Sequence, residues 1–226
     1  MYEAVRPFPA GQATSARFAV RAGAMGYDGI VVLADPGRTG AGRLADRFDV
    51  DVVAGAMVAE REQGALARTI QSTRPAVELL CVEAGTPGLR RFATTRDRVD
   101  VLLDPIGEHG PIAHTIAKRA ADHGVAIALD LEPLLTRRGA DRSRYARDLR
   151  LLARVLDHYD VPSVVTGRPD SHLAMRAPRE LVAVGAAVGI DDAFLERGLE
   201  TWGAIVERNR AVRDDSFIEP GVRREE

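Results

Sequence analysis

Short apolar runs, each four to seven residues long, recur along the chain at fairly even intervals. They fall at 2–5 (YEAV), 29–34 (GIVVLA), 52–58 (VVAGAMV), 77–83 (VELLCVE), 99–103 (VDVLL), 125–131 (VAIALDL) and 161–166 (VPSVVT). The runs are continuous and rich in valine, with little polar alternation, as in strands covered on both faces. Amphipathic stretches separate them, so parallel strands linked by crossover helices are expected. TSARFAVRAGAMG ends in Gly26 and HTIAKRAADHG ends in Gly124, each glycine standing where a left-handed helix cap is wanted. The clearest helical period runs from about 143 to 160, where Tyr145, Leu149, Leu152, Leu156 and Tyr159 repeat at spacings of four and three and mark a buried face.

Seven strands with helices between them fit a single-domain α/β fold, a TIM-like (β/α) barrel one strand short of the usual eight. Residues 1–222 are expected to form the domain and 223–226 a flexible tail. An eighth strand is looked for near GAIVERN, residues 203–209. The competing architecture, a doubly wound open sheet with a dinucleotide site, would need G-x-G-x-x-G after its first strand. The glycine-rich GRTGAGR at 37–43 follows the second strand and lacks that spacing.

With 226 residues, one sizeable core is expected rather than two domains. A net charge of −2, from 31 basic and 33 acidic residues, excludes a global polycation, so any nucleic-acid contact must be a local patch. Nearly every base is arginine, the better bidentate phosphate ligand; Lys118 is the only lysine. Seven arginines crowd residues 137–154, with a pair such as Arg144 to Asp148 expected to neutralise part of the strip. A single cysteine, Cys81, rules out an internal disulfide and a multi-cysteine zinc site. The start of the chain lacks the pattern of a signal peptide and no apolar run is long enough to span a membrane, so a cytoplasmic protein without membrane partners is expected.

In a barrel, chemistry sits at the C-terminal ends of the strands. Those ends carry Asp35, Glu60, Glu83, Asp104, Asp130 and Glu132. A ring of carboxylates suits a hard divalent cation, and the same residues serve equally as helix caps and arginine partners. The five histidines show no H-x-H or H-E-x-x-H spacing, and no G-x-S-x-G elbow is present. The loop TGRPDSHLAMRAPREL, 166–181, joins a strand end to a proline-started helix. Arg168 and Arg176 beside that helix start favour an anion, or else pair with Asp170 and Glu180.

The order YEAV, GYDGIVV, VDVLLDP, HTIAKRAADHGVAIALDLEPLL, DVPSVVTGRPDSHLAMRAPRELVAVGAAVGI, IVERN, FIEPGV resembles, nearly end to end, the (β/α)-barrel protein subunit of archaeal and eukaryotic ribonuclease P. That resemblance implies a subunit of the ribonucleoprotein that removes 5′ leaders from precursor tRNA, with no catalytic residue and no metal on this chain. The Mg²⁺ ions belong to the RNA. The implied partners are the ribonuclease P RNA, a small RRM-like protein subunit, other ribonuclease P proteins and, indirectly, precursor tRNA. The family's barrel is related to polymerase-and-histidinol-phosphatase phosphoesterases, whose first strand carries H-x-H ligands; here it reads MYEAVRPFP. The residues expected to face RNA are Arg168 and Arg176, then Arg138 and Lys118, then Arg90 and Arg91. Arg168 and His172 stand where smaller side chains are expected. The alternative is a metal-dependent phosphoesterase using Glu60, Glu83, Asp104 and Asp130.

Overall fold

Each apolar run holds a strand, usually shorter than the run by a residue or two; the structure, a computed structural model, describes residues 1–35, 37, 40–45, 47–108, 110–213, 217–219 and 222–223. The chain begins with β1 (Tyr2–Val5), α1 (Ser15–Met25), β2 (Gly29–Leu33), the short α2 (Ala41–Ala45), β3 (Asp51–Ala59) and α3 (Gln63–Thr73). It continues through β4 (Leu79–Glu83), α4 (Pro87–Ala93), β5 (Val101–Leu102), a small hairpin of β6 (Ile106–Gly107) and β7 (Gly110–Pro111), α5 (His114–Asp122) and β8 (Ala126–Asp130). The last third holds α6 (Glu132–Thr136), α7 (Gly139–His158), β9 (Ser163–Thr166), α8 (Pro178–Ala187), α9 (Asp192–Arg213) and a hairpin of β10 (Phe217–Glu219) with β11 (Val222–Arg223). Gly26 and Gly124 close their helices at φ +81° and +65°, the left-handed conformation their positions suggested.

Seven strands form one parallel sheet in the order β1-β2-β3-β4-β5-β8-β9, curled into a nearly closed barrel. Strands β1 and β9 flank a seam, and α9 packs on both of them. Its glycines allow the close approach: a Cβ on Gly198 would lie 2.6 Å from Val165 Cγ2, and one on Gly203 would lie 3.0 Å from the Tyr2 ring. The Trp202 indole N–H donates to the Val165 carbonyl at 2.8 Å, satisfying an edge group that an eighth strand would otherwise bond. Trp202, Ile205 and Val206 pass between the edges and join the inward-facing residues of the strands, among them Ala4, Val31, Leu79 and Cys81, in one buried cluster.

The expected strand at 203–209 is therefore helix. GAIV looks strand-like in isolation, but Leu195, Leu199, Trp202 and Val206 are buried at spacings of four, three and four, which is the helical period. The end of α9 is pinned across the strand starts. Asn209 and Arg208 bind the fully buried Asp100 at 2.9 and 2.8 Å, and Arg210 binds Asp51 and Glu78 at 2.8 and 2.6 Å.

On α7 most of the expected face is buried, Tyr145, Leu149, Leu152 and Leu156 being at most 8% exposed, while Tyr159 caps the helix half-buried; the helix starts four residues earlier than its periodicity suggested, at Gly139. The expected Arg144–Asp148 pair does not form. Arg144 turns back one turn to Asp141 at 3.2 Å, and Asp148 is held by its neighbour Arg147 at 2.8 Å. Of the expected flexible tail, Arg223 belongs to β11 and residues 224–226 lie outside the described residues. No helix is long and apolar enough among the described residues to cross a membrane.

Candidate functional site at the barrel mouth

Alternation along the strands decides what reaches the mouth. Leu79 and Cys81 of β4, and Ala126 and Ala128 of β8, face the barrel interior, so the next positions on the same face are Glu83 and Asp130. Arg168, two residues beyond the end of β9, meets them from across the opening. Its guanidinium lies 3.0 Å from Asp130, 3.4 Å from Glu83 and 3.8 Å from Asp104. The side chain is only 14% exposed. Its backbone is left-handed at φ +38°, a conformation uncommon outside glycine, and is held there by its N–H donating to Thr166 Oγ1 at 2.8 Å.

The electrostatics follow from burial. Burial raises the Asp130 pKa to about 6 even though Arg168 and the Glu132 N–H, 2.9 Å away, pull it down. Glu83 is raised by burial and by the neighbouring Asp104, with Arg168 opposing. Burial works against the charge of Arg168 itself, but the combined field of Asp130, Asp104 and Glu83 outweighs it and raises its pKa. The Tyr145 hydroxyl, buried on α7, donates to the Asp130 carbonyl at 2.7 Å and anchors the strand end.

A second buried carboxylate bridges the seam. Glu3 on β1 accepts hydrogen bonds from the Thr166 hydroxyl, from the Gly167 N–H at 3.2 Å and from the Tyr27 hydroxyl at 3.3 Å. It is 1% exposed, and burial raises its pKa to about 7 against the opposing hydrogen bonds. Side-chain bonds from Glu3 thus join β1 to the end of β9 where no strand ladder links them among the described residues. Sequence reading passed over Glu3 and Tyr27, and took Tyr145 only as part of a helix's buried face. The available signal was Glu3 itself, a charge inside an apolar strand.

The six arginine and lysine candidates are dispersed. Arg168 is turned into the mouth and neutralised by three carboxylates, a placement that does not match an external phosphate grip; the expected neighbour Asp170 instead receives the Gln12 side chain at 3.3 Å. Arg176 precedes α8, whose N-terminus carries Pro178 at its start and Glu180 folded back onto the Ala177 N–H at 2.7 Å. The Arg176 guanidinium bonds to the carbonyls of Ala174 and Met175 at 3.3 and 3.4 Å. Arg138 is exposed at the N-cap of α7, and Lys118 is exposed on α5. Arg91 is exposed on α4, whereas Arg90 is buried, only 6% exposed. The structure brings Arg90 and Arg91 to one cavity with the start of α5, the helix that carries Lys118.

The carboxylates of the phosphoesterase alternative are not arranged for that chemistry. Glu83, Asp104 and Asp130 do converge, with the Arg168 guanidinium among them, in the position a cation would need. Glu60 is elsewhere, accepting from the Thr69 hydroxyl at 2.9 Å. Among the described residues no group of three or more His, Cys, Asp or Glu side chains is disposed to hold a metal ion; His109 lies outside them.

Comparison with known proteins places this geometry. The family model described as RNase P subunit p30 matches residues 7–214. Ribonuclease P protein component 3 of Halobacterium salinarum is 42% identical over 230 residues, covering 99% of this chain and 97% of that protein. The same component from Halorubrum lacusprofundi is 42% identical over 234 residues, covering 99% and 97%. Among solved structures, a chain of archaeal ribonuclease P with mature tRNA superposes with a TM-score of 0.85 at 20% identity, covering 100% of this chain and 98% of that one. A crystal structure of an uncharacterised protein shares the fold at a TM-score of 0.61 and 10% identity, covering 91% and 74%. A seven-stranded barrel whose mouth carboxylates close on an arginine, matched along nearly its whole length by these relatives, belongs to the p30 family of ribonuclease P protein subunits.

Proposed function

We propose that this chain supports the ribonuclease P RNA without performing the cleavage, the catalytic Mg²⁺ ions being held by the RNA, and that it works in the cytoplasm beside a small RRM-like protein subunit. The observation that carries this reading is the Arg168 guanidinium 3.0 Å from Asp130. An internal cation already pairs with Glu83, Asp104 and Asp130, and among the described residues no cluster of side chains at the usual catalytic end of the barrel is disposed to hold a metal ion. What the chain offers RNA is then peripheral charge. Arginine and lysine contacts to phosphates position an RNA without reading its bases. Arg138, Lys118 and Arg91 are exposed, and none has a carboxylate at salt-bridge distance among the described residues.

The test is precursor-tRNA cleavage by ribonuclease P RNA at limiting Mg²⁺, with the small partner subunit present. Wild-type protein is expected to stimulate cleavage, and an Arg138→Ala/Lys118→Ala variant to stimulate several-fold less while unfolding at the wild-type urea midpoint. Equal stimulation by the variant removes these two residues from the RNA contact. Failure of the wild type to stimulate, together with phosphoester hydrolysis by the protein alone in Mn²⁺, would overturn the non-catalytic reading.

A further inference from the structure

Arg90, like Arg168, is an expected RNA ligand that the fold largely buries, but its surroundings differ. It projects from α4 toward the β6–β7 hairpin, where its Nε donates to the Ala84 carbonyl at 2.9 Å. Its two terminal nitrogens have no hydrogen-bond partner and no carboxylate at salt-bridge distance among the described residues. The nearest opposing field is that of Asp104, and burial still lowers the Arg90 pKa below its ordinary value. The residue is buried, but its terminal nitrogens open onto the neighbouring cavity and are available to a ligand there.

The space beside it is a cavity of about 470 Å³, lined by Arg90, Arg91, Thr86, Gly107, Glu108 and Thr115 among others. Gly107 keeps it open at the guanidinium, since a Cβ there would lie 2.8 Å from Arg90 Nη1 and 2.9 Å from Nη2. The N-terminus of the nine-residue α5 forms another wall. Its N-cap is Ala113, which has no side-chain oxygen to cap the helix, and its first turn carries no acidic residue. The N–H group of Thr115, which lines the cavity, is thus uncapped at the positive end of the helix dipole. Idle guanidinium donors and an idle helix N–H group at one cavity make an anion site, and phosphate is the anion both geometries suit. Glu108 sits exposed at the rim, where it can stay in water.

We infer that the cavity between α4, the β6–β7 hairpin and the start of α5 binds a phosphate oxyanion through the terminal nitrogens of Arg90 and the N–H group of Thr115, and that an RNA backbone supplies it. The source of the phosphate rests on the function proposed above; the site itself does not.

Two measurements separate them. In the first, thermal unfolding of the protein alone is followed in inorganic phosphate and in KCl of matched ionic strength. Phosphate is expected to raise the wild-type Tm saturably over KCl, and to leave Arg90→Gln and Gly107→Ala unprotected. In the second, affinity for ribonuclease P RNA is measured against salt. Each variant is expected to bind several-fold more weakly at low salt, the deficit narrowing as salt rises because the log–log slope is reduced by about 1, the signature of one lost phosphate contact. Gly107→Ala keeps the arginine and its charge, so it guards against a fold defect in Arg90→Gln. Equal phosphate protection of wild type and variants would overturn the site. Selective protection with an unchanged RNA slope would overturn RNA as the source and leave a free-phosphate site. Selective protection with no RNA binding even by wild type would uphold the site and overturn the functional reading.

Discussion

Replacing Arg168 with alanine removes the one cation that, among the described residues, lies at salt-bridge distance from Glu83, Asp104 and Asp130 at the barrel mouth. Glu83 and Asp104 are 36% and 37% exposed, so water screens them and their share is small. Asp130 is 6% exposed and carries the cost. Breaking a buried pair by deleting one partner costs roughly 3–5 kcal/mol, and with two of the three partners screened the lower end, about 3 kcal/mol, applies at pH 7.5. The size of the loss depends on pH in a defined direction. Asp130 titrates near 6 in the folded protein, so at pH 5 it is largely protonated with or without the arginine, and the loss should shrink to about 1 kcal/mol. Urea unfolding followed through the emission of the single, fully buried Trp202 reads this directly. With a slope near 3 kcal/mol/M for a chain of this size, the midpoint should fall by about 1 M at pH 7.5 and by a third of that at pH 5. A loss under about 1 kcal/mol at pH 7.5, or the same loss at both pH values, would refute the idea that the guanidinium is there to neutralise buried carboxylates.

Glu3 makes a second pH prediction. Its folded pKa, about 7, lies above the ordinary 4.5, so the folded state holds the proton more tightly; the associated stability is full below about pH 4.5 and is lost as pH rises through 7. Glu3→Gln should therefore flatten the stability profile between pH 5 and 8 by about 2 kcal/mol, measured by urea titrations at both ends, and an unchanged profile would exclude Glu3 as the titrating group. Tyr145→Phe removes the buried hydroxyl bond to the Asp130 carbonyl, 2.7 Å long, and should cost about 1 kcal/mol by the same titration. Gly198→Ala forces a methyl against Val165 at the seam and should cost roughly 1–3 kcal/mol, whereas the same change at exposed Gly88, with open space around its Cβ, should cost nothing and slightly stabilise α4.

Periodicity along the chain was enough to locate all seven sheet strands, the helices ending at Gly26 and Gly124, and the buried face of α7, because each is set by which residues can be covered together over a single short segment. The family was legible for a similar reason: its signature is an order of such segments. What the sequence left open was every feature that depends on two distant segments meeting. GAIVERN looked like a missing strand because the packing of its helix, α9, against Tyr2 and Val165, both distant in sequence, has no local trace. Arg168 and Arg176 looked alike along the chain, both flanking one loop. Tertiary structure separated them, folding Arg168 under the carboxylates of three other strand ends while Arg176 found only carbonyls of its own loop. Arg90 and Arg91 were equally indistinguishable as neighbours in GLRRF, until the packing of α4 buried one in the wall of a cavity and left the other exposed at its edge. Local pattern determines which residues must be buried; only the closed barrel decides which charges are buried with them, because a charge's partner is chosen by distance in space and not by distance along the chain.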